Sequence, residues 1–311
     1  MKRIVTLTVN PAIDKNTSLD RVLPEIKLRC DPPRYAPGGG GINVSRAIKR
    51  LGGESIAIYP SGGATGTLLE ELMDGEGIEH ISIATEELTR ENMTVFESTT
   101  NQQFRFVMPG VPLKEPEWQA CLDKLNAIDP KPDYIVASGS LPAEVPVDFY
   151  ARVAETGKAM GAKVIADSSG QALEKALEGG VFLIKPNTRE IAFLGDKEVG
   201  NEKEAYDTAR EIVVQEKSEY VAVSLGGGGA ILAFEGGCLR LRAPTVPIIS
   251  KVGAGDSMVA GMTLKIAEGW SVHEAARFGI AAGAAAVMTP GTELCRMEDT
   301  ERLYEQMQSE D

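Results

Sequence analysis

Tyr134-Ile135-Val136-Ala137-Ser138, Lys163-Val164-Ile165-Ala166-Asp167, Val181-Phe182-Leu183-Ile184 and Tyr220-Val221-Ala222-Val223-Ser224 recur through residues 134–224. Each is a short, nearly continuous apolar run rich in β-branched residues, the pattern of a strand buried on both faces. Between them, Val147 to Met160, Gln171 to Leu177 and Glu202 to Glu216 carry helical spacing. Strands alternating with helices predict right-handed βαβ units around a parallel sheet, hence a three-layer α/β architecture. Outward from this stretch, Ile4 to Val9 and Ser55 to Tyr59 add two further strands, and Asp256 to Glu268, Ser271 to Met288 and Glu298 to Gln308 read as helices.

Two segments break the alternation. Lys27 to Tyr35 is one; in Met93 to Met108 the other, Phe104 and Phe106 alternate with Gln103, Arg105 and Val107 at the two-residue period of a half-buried strand. They predict either a small separate sheet, suited to act as a lid, or extra edge strands of the main sheet.

Composition narrows the function. With 32 Lys and Arg against 45 Asp and Glu, the net charge of −13 is opposite in sign to the footprint of a nucleic-acid-binding surface. No apolar run approaches the length of about 18 residues that spans a membrane, and Met1-Lys2-Arg3-Ile4-Val5-Thr6 reads as a strand and not a signal peptide. A cytoplasmic protein with neither nucleic-acid nor membrane partners is therefore expected. Cys30, Cys121, Cys238 and Cys295 are scattered, which favours free thiols over a zinc site or disulfide framework.

Glycine is in excess, with 33 residues among 311. They gather at Gly38 to Gly41, Gly62 to Gly66, Gly226 to Gly229 and Gly253 to Gly255. A glycine turn entering a helix aims several N–H groups at one point and suits an anion, although any one such cluster also reads as a tight turn. No P-loop or G-x-G-x-x-G pattern occurs, and only His80 and His273 are present, so a Ser-His-Asp hydrolase or an H-E-x-x-H protease finds no support. The sharpest motif is Val252-Gly253-Ala254-Gly255-Asp256-Ser257 ahead of a helical pattern. Asp256 is there either an ordinary N-cap or a general base beside amides that stabilise transferring negative charge.

Pro37-Gly38-Gly39-Gly40-Gly41-Ile42-Asn43-Val44 and the Val252 to Ser257 motif resemble the two signatures of the PfkB (ribokinase-like) carbohydrate kinases, with Lys185-Pro186-Asn187 and Ser224-Leu225-Gly226 between them. Thr8 to Asp14, Lys27 to Cys30, Phe106 to Gly110, Ser138 to Pro142 and Asp167 to Gly170 resemble the bacterial 6-phosphofructokinase branch of that family. The resemblance implies one ribokinase-like domain over residues 1–311, with a mainly parallel central sheet and lid strands inserted at about 12–36 and 90–108. It further implies transfer of the ATP γ-phosphoryl group to the C1 hydroxyl of fructose 6-phosphate, giving the glycolytic product fructose 1,6-bisphosphate.

Under this resemblance Asp256 takes the hydroxyl proton and Gly253, Ala254 and Gly255 cradle the phosphoryl group. Asp14, Gly39, Asn43 and Ser140 hold the sugar, although Asp14 also reads as a turn residue after Asn10-Pro11. Lys27, Arg29 and Arg90 meet its phosphate, and Arg105 is a weaker candidate. Lys185, Asn187, Ser224, Gly226 and Gly229 bind ATP. Asn187 and Glu190 match a magnesium and phosphate motif, and equally a helix capping box. Ser250, Val252, Ala286 and Gly291 correspond to a potassium site, where Glu293 departs from the family pattern. A homodimer through the lid sheet and inhibition by a second ATP are implied as well. The alternatives are a kinase of the same family acting on tagatose 6-phosphate or fructose 1-phosphate, and a non-catalytic sugar-phosphate or nucleotide sensor.

Overall fold

The computed structural model describes residues 2–196 and 201–309. Its strands are β1 (Ile4–Leu7), β2 (Ala12–Leu19), β3 (Arg34–Gly38), β4 (Ile56–Gly62), β5 (Glu79–Thr85), β6 (Arg90–Glu97), β7 (Gln102–Phe106), β8 (Tyr134–Ser138), β9 (Lys163–Asp167), β10 (Val181–Ile184), β11 (Ser218–Ser224), β12 (Ala230–Phe234) and β13 (Gly237–Leu241). The helices are α1 (Gly40–Arg50), α2 (Gly63–Gly75), α3 (Glu115–Ala127), α4 (Phe149–Met160), α5 (Gly170–Glu178), α6 (Thr188–Leu194), α7 (Glu202–Val214), α8 (Ala254–Ala267), α9 (Val272–Val287) and α10 (Met297–Ser309).

Side-chain alternation builds the layers. Val5 and Leu7 of β1, Ile135 and Ala137 of β8, and Val164 and Ala166 of β9 enter one core with Trp118, Phe149, Leu173 and Ile212 from α3, α4, α5 and α7. Their neighbours Ile4, Tyr134, Val136 and Ile165 face the other way, against Ile48, Met262, Ile280 and Leu303 from α1, α8, α9 and α10. Successive residues of a strand point to opposite faces, so a sheet covered on both sides must be apolar at every position. The nine strands run in the order β13-β12-β11-β10-β9-β8-β1-β4-β5. β4, β5 and β8 to β11 are parallel to their neighbours along β1, and β12 and β13 form an antiparallel margin.

The segments that broke the alternation belong to a second sheet of order β3-β2-β6-β7, so the reading as edge strands of the main sheet falls away. β2 and β6 are parallel and the outer pairs antiparallel. Within Lys27 to Tyr35 only the end is strand, because pairing begins at Arg34. Pro24, Pro32 and Pro33 precede it, and proline cannot donate to a ladder. Strands β5, β12 and β13 escaped the sequence reading.

No helix among the described residues is long and apolar enough to cross a membrane. Phe149 is fully buried and makes edge-on contacts with Trp118 and Tyr150 at centroid distances of 6.2 and 5.7 Å. Phe149→Ala is expected to lower stability by about 3–5 kcal/mol in denaturant titrations. Ile249→Ala, at an exposed site, should change it by less than about 0.5 kcal/mol.

Candidate active site

The parallel strands deliver their carboxyl ends to one edge of the main sheet, where open α/β sheets take their ligands. Asp167 closes β9 and Lys185 follows β10; the Lys185 ammonium pairs with the Asp167 carboxylate at 3.2 Å. Lys185 is only 6% exposed. Burial opposes its charge, but Asp167, Asp256 and Glu190 outweigh this and hold its pKa above the ordinary value.

Asp256 lies in the first turn of α8. The turn before it requires glycine: Gly253 has a φ of 74°, and a Cβ there would come within 2.2 Å of Leu294 Cδ2. The Ser257 N–H closes the first intrahelical bond, to Gly253 O at 2.8 Å. The amides ahead of it lie outside the helical ladder, at the positive end of the helix dipole. Burial raises the Asp256 pKa to about 7, and the nearby charge of Asp167 adds to the rise. Asn43 opposes it, donating Nδ2–H to Oδ2 at 2.9 Å, as does the Lys185 charge.

Asp14 comes from β2 of the second sheet, near enough to add its negative charge to the Asp256 environment. Burial raises its pKa as well, against a hydrogen bond from Asn92 and the charges of Arg46, Arg105 and Arg90. Asn92 donates to Asp14 Oδ1 at 3.0 Å while accepting from the Met108 N–H at 3.2 Å. Gly38 permits the close approach of this carboxylate, since a Cβ there would sit 2.6 Å from Oδ2.

A model of the pfkB family of carbohydrate kinases matches residues 4–300. The chain belongs to that family. It is 44% identical over 303 residues to the ATP-dependent 6-phosphofructokinase isozyme 2 of Mycobacterium tuberculosis, covering 97% of this chain and 89% of that protein. To the enzyme of the same name from Escherichia coli it is 42% identical, covering 98% of both. The crystal structure of Escherichia coli phosphofructokinase-2 in complex with potassium superposes with a TM-score of 0.95 at 41% identity, covering 99% of this chain and 100% of the other.

Among the family-derived candidates, Asp256, Asn43, Asp14 and Lys185 are thus gathered, with Gly39 at the N-cap of α1. Ser140 accepts from Asn10 Nδ2 at 2.9 Å. The Arg90 guanidinium donates to the carbonyls of Asn10, Pro11 and Met108 at 3.1, 3.3 and 2.8 Å. Lys27 and Arg29 stand on the exposed segment between β2 and β3, and neither is among the charges that shift Asp14.

Asn187 and Glu190 form the capping box of α6. Asn187 Oδ1 accepts from the N–H groups of Arg189 and Glu190, and Glu190 Oε2 accepts from the Asn187 N–H at 2.7 Å. Ser224 pairs with Asn187 in an isolated parallel bridge, and a 3-10 turn at Gly226–Gly228 leads on to Gly229. Among the described residues no three His, Cys, Asp or Glu side chains group to hold a metal ion. Ser250 donates to Gly291 O at 2.9 Å and accepts from the Val252 N–H at 3.2 Å, while Thr289 donates to Ala286 O at 2.8 Å. Three of the four proposed potassium ligands are therefore linked by hydrogen bonds. The Glu293 carboxylate pairs with Arg296 at 2.9 Å and Arg34 at 3.9 Å, so its extra negative charge is met by two guanidinium groups.

Sequence reasoning missed Asp167, Asn92 and Arg46 as site residues. Arg46 carried a readable mark: it stands among Val44, Ser45, Ala47 and Ile48 on a helix whose neighbours are apolar. Asp256 also sets a linkage between pH and stability. Its folded pKa lies above the ordinary carboxylate value of 3.8, so its contribution is complete below that value and is lost as pH rises through about 7. Asp256→Asn is therefore expected to melt at a higher Tm than the native chain at pH 8. That difference should grow between about pH 4 and 7 and level off above, in thermal melts across pH.

Proposed function

We propose that this chain is an ATP-dependent 6-phosphofructokinase in which Asp256 is the general base. The observation that carries the assignment of the base is the buried Asp256 carboxylate at the start of α8, with a pKa of about 7. Near neutrality such a group is populated as the carboxylate and is still basic enough to take a proton in the transition state.

The sugar would lie between Asp14 and Asp256, with Asn43, Gly39 and Ser140 at its margin. As the C1 oxygen forms its bond to the γ-phosphorus, the bond from that phosphorus to the bridging oxygen breaks and ADP leaves. The hydroxyl proton passes to Asp256. The amides of Gly253, Ala254, Gly255 and Asp256 hold the phosphoryl oxygens by fixed dipoles, which need little reorganisation as charge shifts. Lys185 supplies a positive charge beside them. Asn187, Ser224, Gly226 and Gly229 frame the nucleotide. The sugar 6-phosphate would meet Arg90, Arg105, Lys27 and Arg29, once Arg90 exchanges carbonyl partners for phosphate oxygens.

Magnesium fits as a companion of ATP: Glu190 keeps Oε1 outside its cap, burial raises its pKa with the charge of Asp167 adding to the rise, and a cation held there would relieve that repulsion. Bound there, through water, it would neutralise charge on the transferring phosphates. The carbonyl and hydroxyl oxygens around Ser250, Val252, Ala286 and Gly291 suit potassium, which would add a fixed positive charge near α8. The second sheet would act as a lid. Its exposed Tyr35 and Phe106, with Val107 and Met108 just beyond β7, offer an apolar surface for a homodimer. A cytoplasmic location accords with this chemistry.

Release of ADP measured with fructose 6-phosphate, tagatose 6-phosphate and fructose 1-phosphate should give the highest kcat/KM for the first. A preference of more than about tenfold for fructose 1-phosphate would overturn the substrate assignment. For the native chain, kcat/KM should fall on the acid side with an apparent pKa near 7. Asp256→Asn should lose kcat by orders of magnitude while still binding sugar phosphate in calorimetry.

A further inference from the structure

Arg46 is among the largest fully buried side chains of the molecule, at 2% exposure. Its guanidinium is held from two sides. Nε and Nη2 donate to Glu76 Oε1 at 2.9 and 2.7 Å, just beyond the end of α2. Nη1 donates to the carbonyls of Pro37 and Thr292 at 3.0 and 3.2 Å, and to Asn43 Oδ1 at 3.3 Å. A charge this deeply buried must be paired to persist, and Glu76 supplies the counter-charge.

The contact with Asn43 has a directional consequence. A guanidinium carries only donors, so an asparagine amide can face it only through its oxygen. The Asn43 NH2 group is thereby aimed the other way, at Asp256 Oδ2 2.9 Å distant. An ionised carboxylate is an acceptor only, so this is the orientation that favours the ionised base. With the amide reversed, its oxygen would face the carboxylate and would instead suit the protonated, inactive acid.

We propose that Arg46, anchored by Glu76, is a positioning residue for phosphoryl transfer: it fixes the orientation of the Asn43 amide and so keeps Asp256 in its proton-accepting form. Arg46 touches neither Asp256 nor the reacting atoms in this scheme; it acts through Asn43. Its charge also lowers the pKa of Asp14, against the larger effect of burial. The groups facing Asp256 from the packed elements are Asp167 from β9, Lys185 after β10, Asp14 from β2 and Asn43 from α1. Of these, Asn43 alone is a neutral dipole whose effect changes sign on rotation.

The proposal rests on Asp256 being the base, and the experiment separates the two. Native protein, Arg46→Gln, Arg46→Lys, Asn43→Ala, the Arg46→Gln/Asn43→Ala double variant and Asp256→Asn are compared in steady-state kinetics with fructose 6-phosphate and ATP across pH. Arg46→Gln should lower kcat about tenfold or more with KM for ATP within about twofold, and should move the acid limb of kcat upward by about half a pH unit or more. Arg46→Lys, which can reach Glu76 or Asn43 but not both, should fall between. The double variant should be no slower than the worse single variant by more than about twofold, because both changes remove one effect. Glu76→Gln keeps side-chain volume at a partly exposed site and carries the test if Arg46→Gln does not fold. It should lower kcat by about threefold or more with the same upward movement of the limb. Losses confined to Tm, an unmoved acid limb in a folded variant, or additive losses in the double variant would overturn the relay. Residual turnover of Asp256→Asn near the native rate would instead overturn the base assignment.

Discussion

Taking a carboxylate out of water beside another carboxylate is the constraint on which the site's arrangement depends. Asp256 is buried within range of Asp167 and Asp14, and each of these conditions pushes its proton on. Such a group stays near neutrality only if donors and cations are set against it in fixed directions. The start of α8 supplies backbone dipoles, Lys185 a positive charge, and Asn43 one hydrogen bond. Lys185 in turn tolerates burial because Asp167 stands 3.2 Å away. Neither buried charge is stable alone, and removing either partner would leave the other unpaired in a poorly polarisable interior.

The second carboxylate repeats the device from the other sheet. Asp14 accepts from Asn92, whose own oxygen is occupied by the Met108 N–H. In both places a side-chain amide, itself oriented by a donor, is turned to present its NH2 group to an acid. Helix α1 joins the two halves. It begins directly after β3 of the second sheet, and Asn43, on its first turn, bonds to α8. The 289–294 loop is tied to the same region by Asn16 on Thr292 and by Arg34 with Glu293. The elements bearing Asp14 and Asp256 are therefore mechanically connected.

Much of this was legible in the chain. Strands β8 to β11 are covered on both faces, so each announces itself as an unbroken apolar run, and the helices between them follow from their spacing. Strands β5 and β13 lie at the sheet margins, where polar residues such as the exposed Glu79 and Arg240 and the half-buried His80 interrupt the pattern. The strand at the end of Lys27 to Tyr35 was misplaced because backbone pairing, not apolar patterning, defines it. For the site, glycine turns and their neighbouring acids could be read, since chemistry there requires particular residues at fixed spacing. Asn92 and Asp167 could not, and Arg46 showed only as a charge among apolar helix neighbours, with no sign of its role. Their meaning comes from partners at sequence separations of 78, 18 and 30 residues, in Asp14, Lys185 and Glu76.

The net charge of −13 sets a last question, because both proposed substrates are polyanions. Two cations of the site do not resolve it by themselves: Lys185 and Arg46 are already matched by Asp167 and Glu76. What remains is the first turn of α8, whose amides bear partial positive charge, and the cations proposed for the sugar phosphate, Lys27 and Arg29 on their exposed segment and Arg90 and Arg105 near Asp14. Carbonyl oxygens hold Arg90, and these are weaker partners than a phosphate would be. An acidic protein can thus present an anion-selective cleft, because selection depends on how unmatched dipoles and cations converge within a few ångströms and not on the sum over the surface.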